Sequence, residues 1–127
     1  MNIKRGFTLI ETTIATFILT VGVLGTFALV QIIIIFTSSI SFQLRAVYLA
    51  QEGIENIRNT RDSNWLAQAA WDRGIISSGW ESIDKFQRQI TIQKPQTDKM
   101  IVLVEVKWPE KGGTNQVKAE TELYDWK

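Results

Sequence analysis

The chain has 127 residues, with 14 Lys or Arg against 13 Asp or Glu, for a formal charge of +1. That balance gives no reason to expect contact with nucleic acid or an acidic partner. Neither cysteine nor histidine occurs, which excludes a disulfide framework, a thiolate nucleophile, and the commonest general base and transition-metal ligand.

The first element begins at KRGFTLIETT, residues 4–13. Two cations, Lys4 and Arg5, precede Gly6. From Phe7 to Phe36 the chain is apolar apart from Gln31, several threonines and one carboxylate, Glu11. This run is about 30 residues, or about 45 Å as a helix, whereas a bilayer core needs only ~20 residues. With Lys4 and Arg5 ahead of it and no cation again until Arg45, the positive-inside bias predicts a cytoplasmic N-terminus. A secretory signal peptide has a shorter apolar core and a small-residue cleavage site after it. Here the small residue at the polar border, Gly6, stands before the run. A carboxylate at a bilayer centre costs ~2.5–3.5 kcal/mol, so Glu11 is tolerated only near the interface, where the start of a helix also favours it. Gly22, Gly25 and the threonines Thr12, Thr13, Thr16, Thr20 and Thr26 make a surface that lets helices approach closely in lipid.

Beyond Phe36 the pattern becomes amphipathic. Leu44, Val47, Ala50, Ile54 and Ile57 recur every three or four residues and predict one buried helical face. Glu52, Glu55 and Arg58 fall on solvated faces, and Gly53 weakens the helix without ending it. One helix is therefore expected from about Phe7 to Arg61, ~55 residues and roughly 80 Å long. Asp62 or Ser63 is expected to cap a short helix running through Trp71, with Gly74 at its end and a loop at Ser77, Ser78 and Gly79. Three strands follow. One carries Phe86, Ile90 and Ile92 before Pro95, one runs from Met100 to Trp108, and one from Val117 to Trp126. Turns are expected at residues 96–98 and 112–113. In the second strand Val102, Val104, Val106 and Trp108 share a face. In the third, Val117, Ala119, Thr121 and Leu123 do. An antiparallel meander of three strands is marginal alone, so the helix stripe must cover it. The predicted class is α+β, with a long N-terminal helix packed on a small antiparallel sheet. Most of the five tryptophans are expected in its core. The scattered aspartates show no calcium-loop spacing, and no cofactor or metal is expected.

Residues Lys4 to Glu11 resemble the leader and cleavage motif of type IV pilins and type II secretion pseudopilins. The run at residues 15–31 is closest to PilV-like minor pilins or GspI-like pseudopilins. The resemblance is firm over residues 4–36 and architectural beyond them. It implies a leader at residues 1–6, a transmembrane and assembly helix at 7–36, its amphipathic continuation at 37–61, and a globular head completed by 62–127. It further implies cleavage of the Gly6–Phe7 bond by a prepilin peptidase, N-methylation of Phe7 by the same enzyme, and a subunit-assembly role for Glu11. Lys4 and Arg5 are the leader charges that hold the site at the cytoplasmic face. The implied partners are that peptidase and N-methyltransferase, other pilin or pseudopilin subunits, and an inner-membrane assembly platform. The implied protein is a non-enzymatic filament subunit, held in the bacterial inner membrane before assembly and in a surface or periplasm-spanning filament afterwards. Many pilins have a proline in the membrane helix and a C-terminal disulfide, and this chain has neither. The competing expectation is a signal-anchored protein with an extracytoplasmic ligand-binding domain that never polymerises. A membrane-tethered enzyme is disfavoured by the missing His and Cys.

Overall fold

The computed structural model describes residues 6–125. One helix, α1 (Leu9–Leu66), precedes four strands: β1 (Glu81–Ile83), β2 (Phe86–Gln96), β3 (Lys99–Glu110) and β4 (Gly113–Tyr124). They form one antiparallel sheet in the order β1-β2-β3-β4. The chain divides into two compact units, Met1–Ser38 and Ser39–Lys127. The first unit holds the apolar stretch of α1, long and apolar enough to cross a membrane. Its side chains are exposed along their whole described length. The second unit has a core of its own.

That core lies between the later part of α1 and one face of the sheet. Met100, Val102, Val104, Val106 and Trp108 line β3 and are buried, as alternation requires of a central strand half covered by a helix. Phe86 from β2 and Leu123 from β4 flank them, and Trp71 and Ile75 close the end beyond α1. The Phe86 ring is tilted against Phe42 and Trp108, with centroids 6.2 and 6.1 Å away.

The predicted helix stripe holds at Ala50, Ile54 and Ile57 and fails at Leu44. Leu44 is 53% exposed, and the innermost helical positions are Ala46, Ala50 and Gly53. Counting large apolar residues misses the centre of the face because α1 comes so close to the sheet that only its smallest side chains fit at the contact. Leu49, Ile54 and Ile57 pack alongside. A Cβ at Gly53 would meet the two Val104 methyls at 3.1 and 3.3 Å.

The helix also runs five residues past Arg61, and among the described residues no separate helix follows. Asp62 and Ser63 stay inside α1. Its end is set at Gln68, whose φ is +53°. The Ala69 N–H donates to the Asn64 carbonyl and the Gln68 N–H to that of Trp65, at 2.9 and 3.1 Å. This pair of bonds is the Schellman motif, normally built on glycine. Asn64 also donates to the carbonyls of Trp71 and Arg73, folding the next turn back onto the helix. Gly74, with φ +74°, belongs to that turn. A left-handed glutamine costs ~1–2 kcal/mol, and glycine forfeits part of the gain through backbone entropy. Gln68→Gly is therefore expected to stabilise the head by about 0.5–1 kcal/mol, seen as a melting temperature a few degrees higher.

The fourth strand, β1, has no counterpart in the sequence reading. At three residues it is too short to alternate visibly. It pairs Glu81 with Arg88 and Ile83 with Phe86 through a turn at Asp84, whose φ is +56°. Ser77 and Ser78 extend the same edge, their hydroxyls accepting from the N–H groups of Ile92 and Ile90. β2 continues through Pro95, where the sequence reading ended it. The register shifts by one residue between Gln93 and Gln96, and the proline, lacking an N–H, sits in that irregularity. The tryptophans divide. Trp71 and Trp108 are buried, whereas Trp65 and Trp80 are 51% and 43% exposed. Trp126 lies outside the described residues. Trp80 stacks on Lys107, whose ammonium is 4.2 Å from the ring centroid.

Arg88 is a buried cation inside the apolar alternation of β2, 8% exposed. Its guanidinium donates to the Leu49 carbonyl at 3.3 Å and to Glu81 at 3.2 Å, with Glu52 3.8 Å away. The buried Nε has no hydrogen-bond partner.

Several carboxylates of the head sit below their ordinary range. The Lys94 ammonium, 2.6 Å away, lowers Asp72. The Ser39 hydroxyl, with Asn115 and Trp108, lowers Glu110. Lys99, with the Tyr124 hydroxyl, lowers Glu122. Burial pushes Glu105 up, but hydrogen bonds from Lys107 and Lys118 outweigh it. Folded values below unfolded ones favour the fold while the groups are charged. That contribution is complete above the unfolded values, 3.8 for Asp72 and 4.5 for the glutamates, and is lost as pH falls through the folded ones. Lys99 is raised by Glu122, so its contribution is complete below 10.5 and is lost as pH rises through its folded value. The melting temperature of the head should hold steady from about pH 5 to about pH 9 and fall on either side. A melting temperature unchanged at about pH 3 would contradict these pairings.

Candidate processing and assembly site

The helix begins with a reciprocal cap. Thr8 stands just before α1, and its carbonyl accepts the first helical bond, from the Thr12 N–H at 3.2 Å. The Glu11 N–H donates to the Thr8 hydroxyl oxygen at 3.3 Å. In return Glu11 Oε2 accepts from the Thr8 N–H and the Thr8 hydroxyl, both at 2.8 Å. This is a capping box, in which a threonine and a glutamate three residues on satisfy donors that a helix start leaves open. The signal in the sequence is Thr-x-x-Glu; the expectation placed Glu11 favourably at a helix start without Thr8 as its partner. Among the described residues Glu11 Oε1 has no hydrogen bond, so half the carboxylate is engaged by its own helix.

Gly6 and Phe7 precede the cap as extended, exposed chain. Phe7 is 89% exposed, and a Cβ on Gly6 would meet nothing within 4 Å. Both residues flanking the Gly6–Phe7 peptide bond are exposed. Lys4 and Arg5 lie outside the described residues.

Beyond the cap, the hydroxyls of Thr12, Thr13, Thr16, Thr20 and Thr26 all donate to carbonyls one turn back. Each of these hydroxyls is thus satisfied within the helix, which is what a lipid environment demands. Gly22 leaves a shallow apolar notch bordered by Leu19, Val23, Thr26 and Phe27. Among the described residues no group of His, Cys, Asp or Glu is placed to hold a metal ion.

The comparisons with known proteins bear on this end of the chain. The family described as the prokaryotic N-terminal methylation motif matches residues 1–27. No curated protein and no solved structure matches the chain. The matched residues include Gly6, Phe7, the Thr8–Glu11 cap and the start of the apolar run. That motif belongs to structural proteins processed by a prepilin peptidase and assembled with other pilins, and with the apolar helix it fits anchoring in the inner membrane. From its first residues into its apolar helix, the chain carries the N-terminal methylation motif of the type IV pilin-like family.

Proposed function

We propose that the chain is a minor pilin or pseudopilin, a non-enzymatic subunit cleaved after Gly6, N-methylated at Phe7 and set in register in its filament by Glu11. The observation that carries this reading is the methylation motif running into a helix whose apolar stretch through Ser38 is exposed throughout. Such a surface must be covered, first by lipid and then by the helices of neighbouring subunits.

Cleavage of the Gly6–Phe7 bond frees an α-amine on Phe7, protonated near neutral pH. In a packed helical core of low dielectric, an ammonium and a carboxylate are each costly alone and tolerable as a close pair. Glu11 already places one oxygen on Thr8, and Oε1 is available for the ammonium of a subunit assembled earlier. Removal of Lys4 and Arg5 turns the small basic excess into a small acidic one, close to neutral, which suits packing beside similar heads.

Co-expression with a prepilin peptidase, followed by intact mass and N-terminal sequencing, tests the reading. The expected mature chain starts at Phe7 and carries one added methyl group. A chain that still begins at Met1 under those conditions overturns it. Gly6→Trp should block the cut and accumulate full-length precursor in the membrane, because an extended peptide entering a proteolytic cleft has no room for an indole where glycine offers only hydrogen.

A further inference from the structure

The last turn of α1 and the chain folding back from it bound a cleft of about 810 Å³, the size of a small-ligand site. Trp65, Gln68, Ala69, Ala70, Trp71 and Asp125 line it. Trp65 stays 51% exposed there, although a head this small gains most by burying its aromatics. Gln68 holds the left-handed position that glycine would occupy without strain. Strain kept at such a position points to a use for the side chain. Asp125 is pinned through its backbone, its N–H donating to the Asp98 carbonyl at 2.9 Å. Among the described residues neither the Gln68 side-chain amide nor the Asp125 carboxylate has a hydrogen bond or an ion pair. Asn64, by contrast, is committed to the carbonyls of Trp71 and Arg73, which fixes the Trp71 wall.

We infer that this cleft binds a neutral saccharide, with a pyranose ring laid on the Trp65 indole and its hydroxyls bonded to Gln68 and Asp125. A sugar ring joins an apolar C–H face to a rim of hydroxyls, each of which both donates and accepts. Gln68 supplies two donors and an acceptor, and Asp125 accepts only, so together they serve both halves of a hydroxyl. The same lining rejects the rival classes. No Lys or Arg lines the cleft, so an anion would meet only the like charge of Asp125. A cation would suit the indole and the carboxylate, but it would leave the Gln68 donors without an acceptor. A hydrocarbon would strip water from both polar groups and return nothing. Pyranoses with every substituent equatorial present a flat C–H surface to an indole, which selects β-linked glucose or N-acetylglucosamine.

The full-length chain, in a detergent without a sugar headgroup, is titrated separately with cellotriose, chitotriose and trilysine. Binding is read by saturation-transfer NMR, which detects the ligand's own protons and does not depend on tryptophan as a reporter. The expected result is saturable, millimolar or tighter binding of at least one trisaccharide, with transfer to its ring C–H protons, and none of trilysine. Trp65→Ala should weaken that binding about ten-fold, and Trp65→Phe, which keeps a flat ring, should recover most of it. Gln68→Gly is the decisive variant, because it relieves the strained cap. It should bind about ten-fold more weakly while melting no lower than the natural chain, so unfolding cannot explain the loss. Transfer to neither trisaccharide, trilysine binding as well as the sugars, or full-strength binding by Gln68→Gly overturns the inference. The cleft uses neither Gly6 nor Glu11, so its failure leaves the proposed function standing.

Discussion

Glu11→Ala is expected to insert into the membrane and to be cleaved like the natural chain, yet to drop out of purified filaments by about 10²–10⁴-fold. The magnitude follows from the pair being broken on one side only. A neighbour's ammonium left unpartnered in a dry helical core costs about 3–5 kcal/mol, and each ~1.4 kcal/mol is a factor of ten in the partition between membrane and filament. The alanine variant removes two things at once, because Glu11 also caps its own helix through Thr8. Loss of a cap costs about 0.5–2 kcal/mol, enough to confuse the result. Glu11→Gln separates them. Glutamine at this position can still accept from the Thr8 N–H, as capping boxes with glutamine do, but it carries no charge. The registry role requires Glu11→Gln to fail in assembly nearly as badly as Glu11→Ala. If the glutamine variant enters filaments at the natural level, Glu11 is a helix cap and nothing more. The measurement is the ratio of filament-bound to membrane-bound chain, by quantitative immunoblot, in cells carrying the complete assembly machinery.

What the sequence disclosed and what it hid divide along a physical line. The N-terminal motif is contiguous, so the resemblance could be read in order, and the family match covers the same residues. β3 was equally plain, because a central strand covered by a helix alternates without exception from Met100 to Trp108. The helix face was read at Ala50, Ile54 and Ile57 but not at its centre, because the decisive quantity there is the distance between α1 and β3. Composition cannot show that Ala46 and Gly53 take the inside position while Leu44 stands outside. Arg88 was hidden for a related reason. A cation in an apolar alternation reads as an outward residue unless the acids that reach it, Glu52 and Glu81, are seen converging from two other elements. The end of α1 at Gln68 and the three residues of β1 rest on backbone hydrogen bonds, which leave little trace in side-chain pattern.

The closeness of α1 to β3 yields the second large effect, at Gly53. Glycine in a helix interior normally costs ~1 kcal/mol against alanine and nearly as much against leucine. On propensity alone, Gly53→Leu would therefore stabilise the head. Packing argues the other way and is larger. A bare Cβ already falls 3.1 and 3.3 Å from the methyls of Val104 and 3.5 Å from Arg88 Cδ, and leucine adds three further carbons to that contact. Forcing methylenes into a filled core costs typically 1–3 kcal/mol and sometimes more. Here Arg88 is also pressed, and its bond to the Leu49 carbonyl holds it against the helix. The expected net loss is about 2–3 kcal/mol, a large share of what a head of this size has in reserve. Val104→Ala supplies the internal control. Alone it removes buried methyls and destabilises. Combined with Gly53→Leu it opens the space the leucine needs, so the double variant should be more stable than the sum of the single losses predicts. Denaturant titration of the four chains, followed by tryptophan fluorescence, reads out both results. Strict additivity, or a Gly53→Leu head as stable as the natural one, would mean that the helix and sheet do not touch at this glycine.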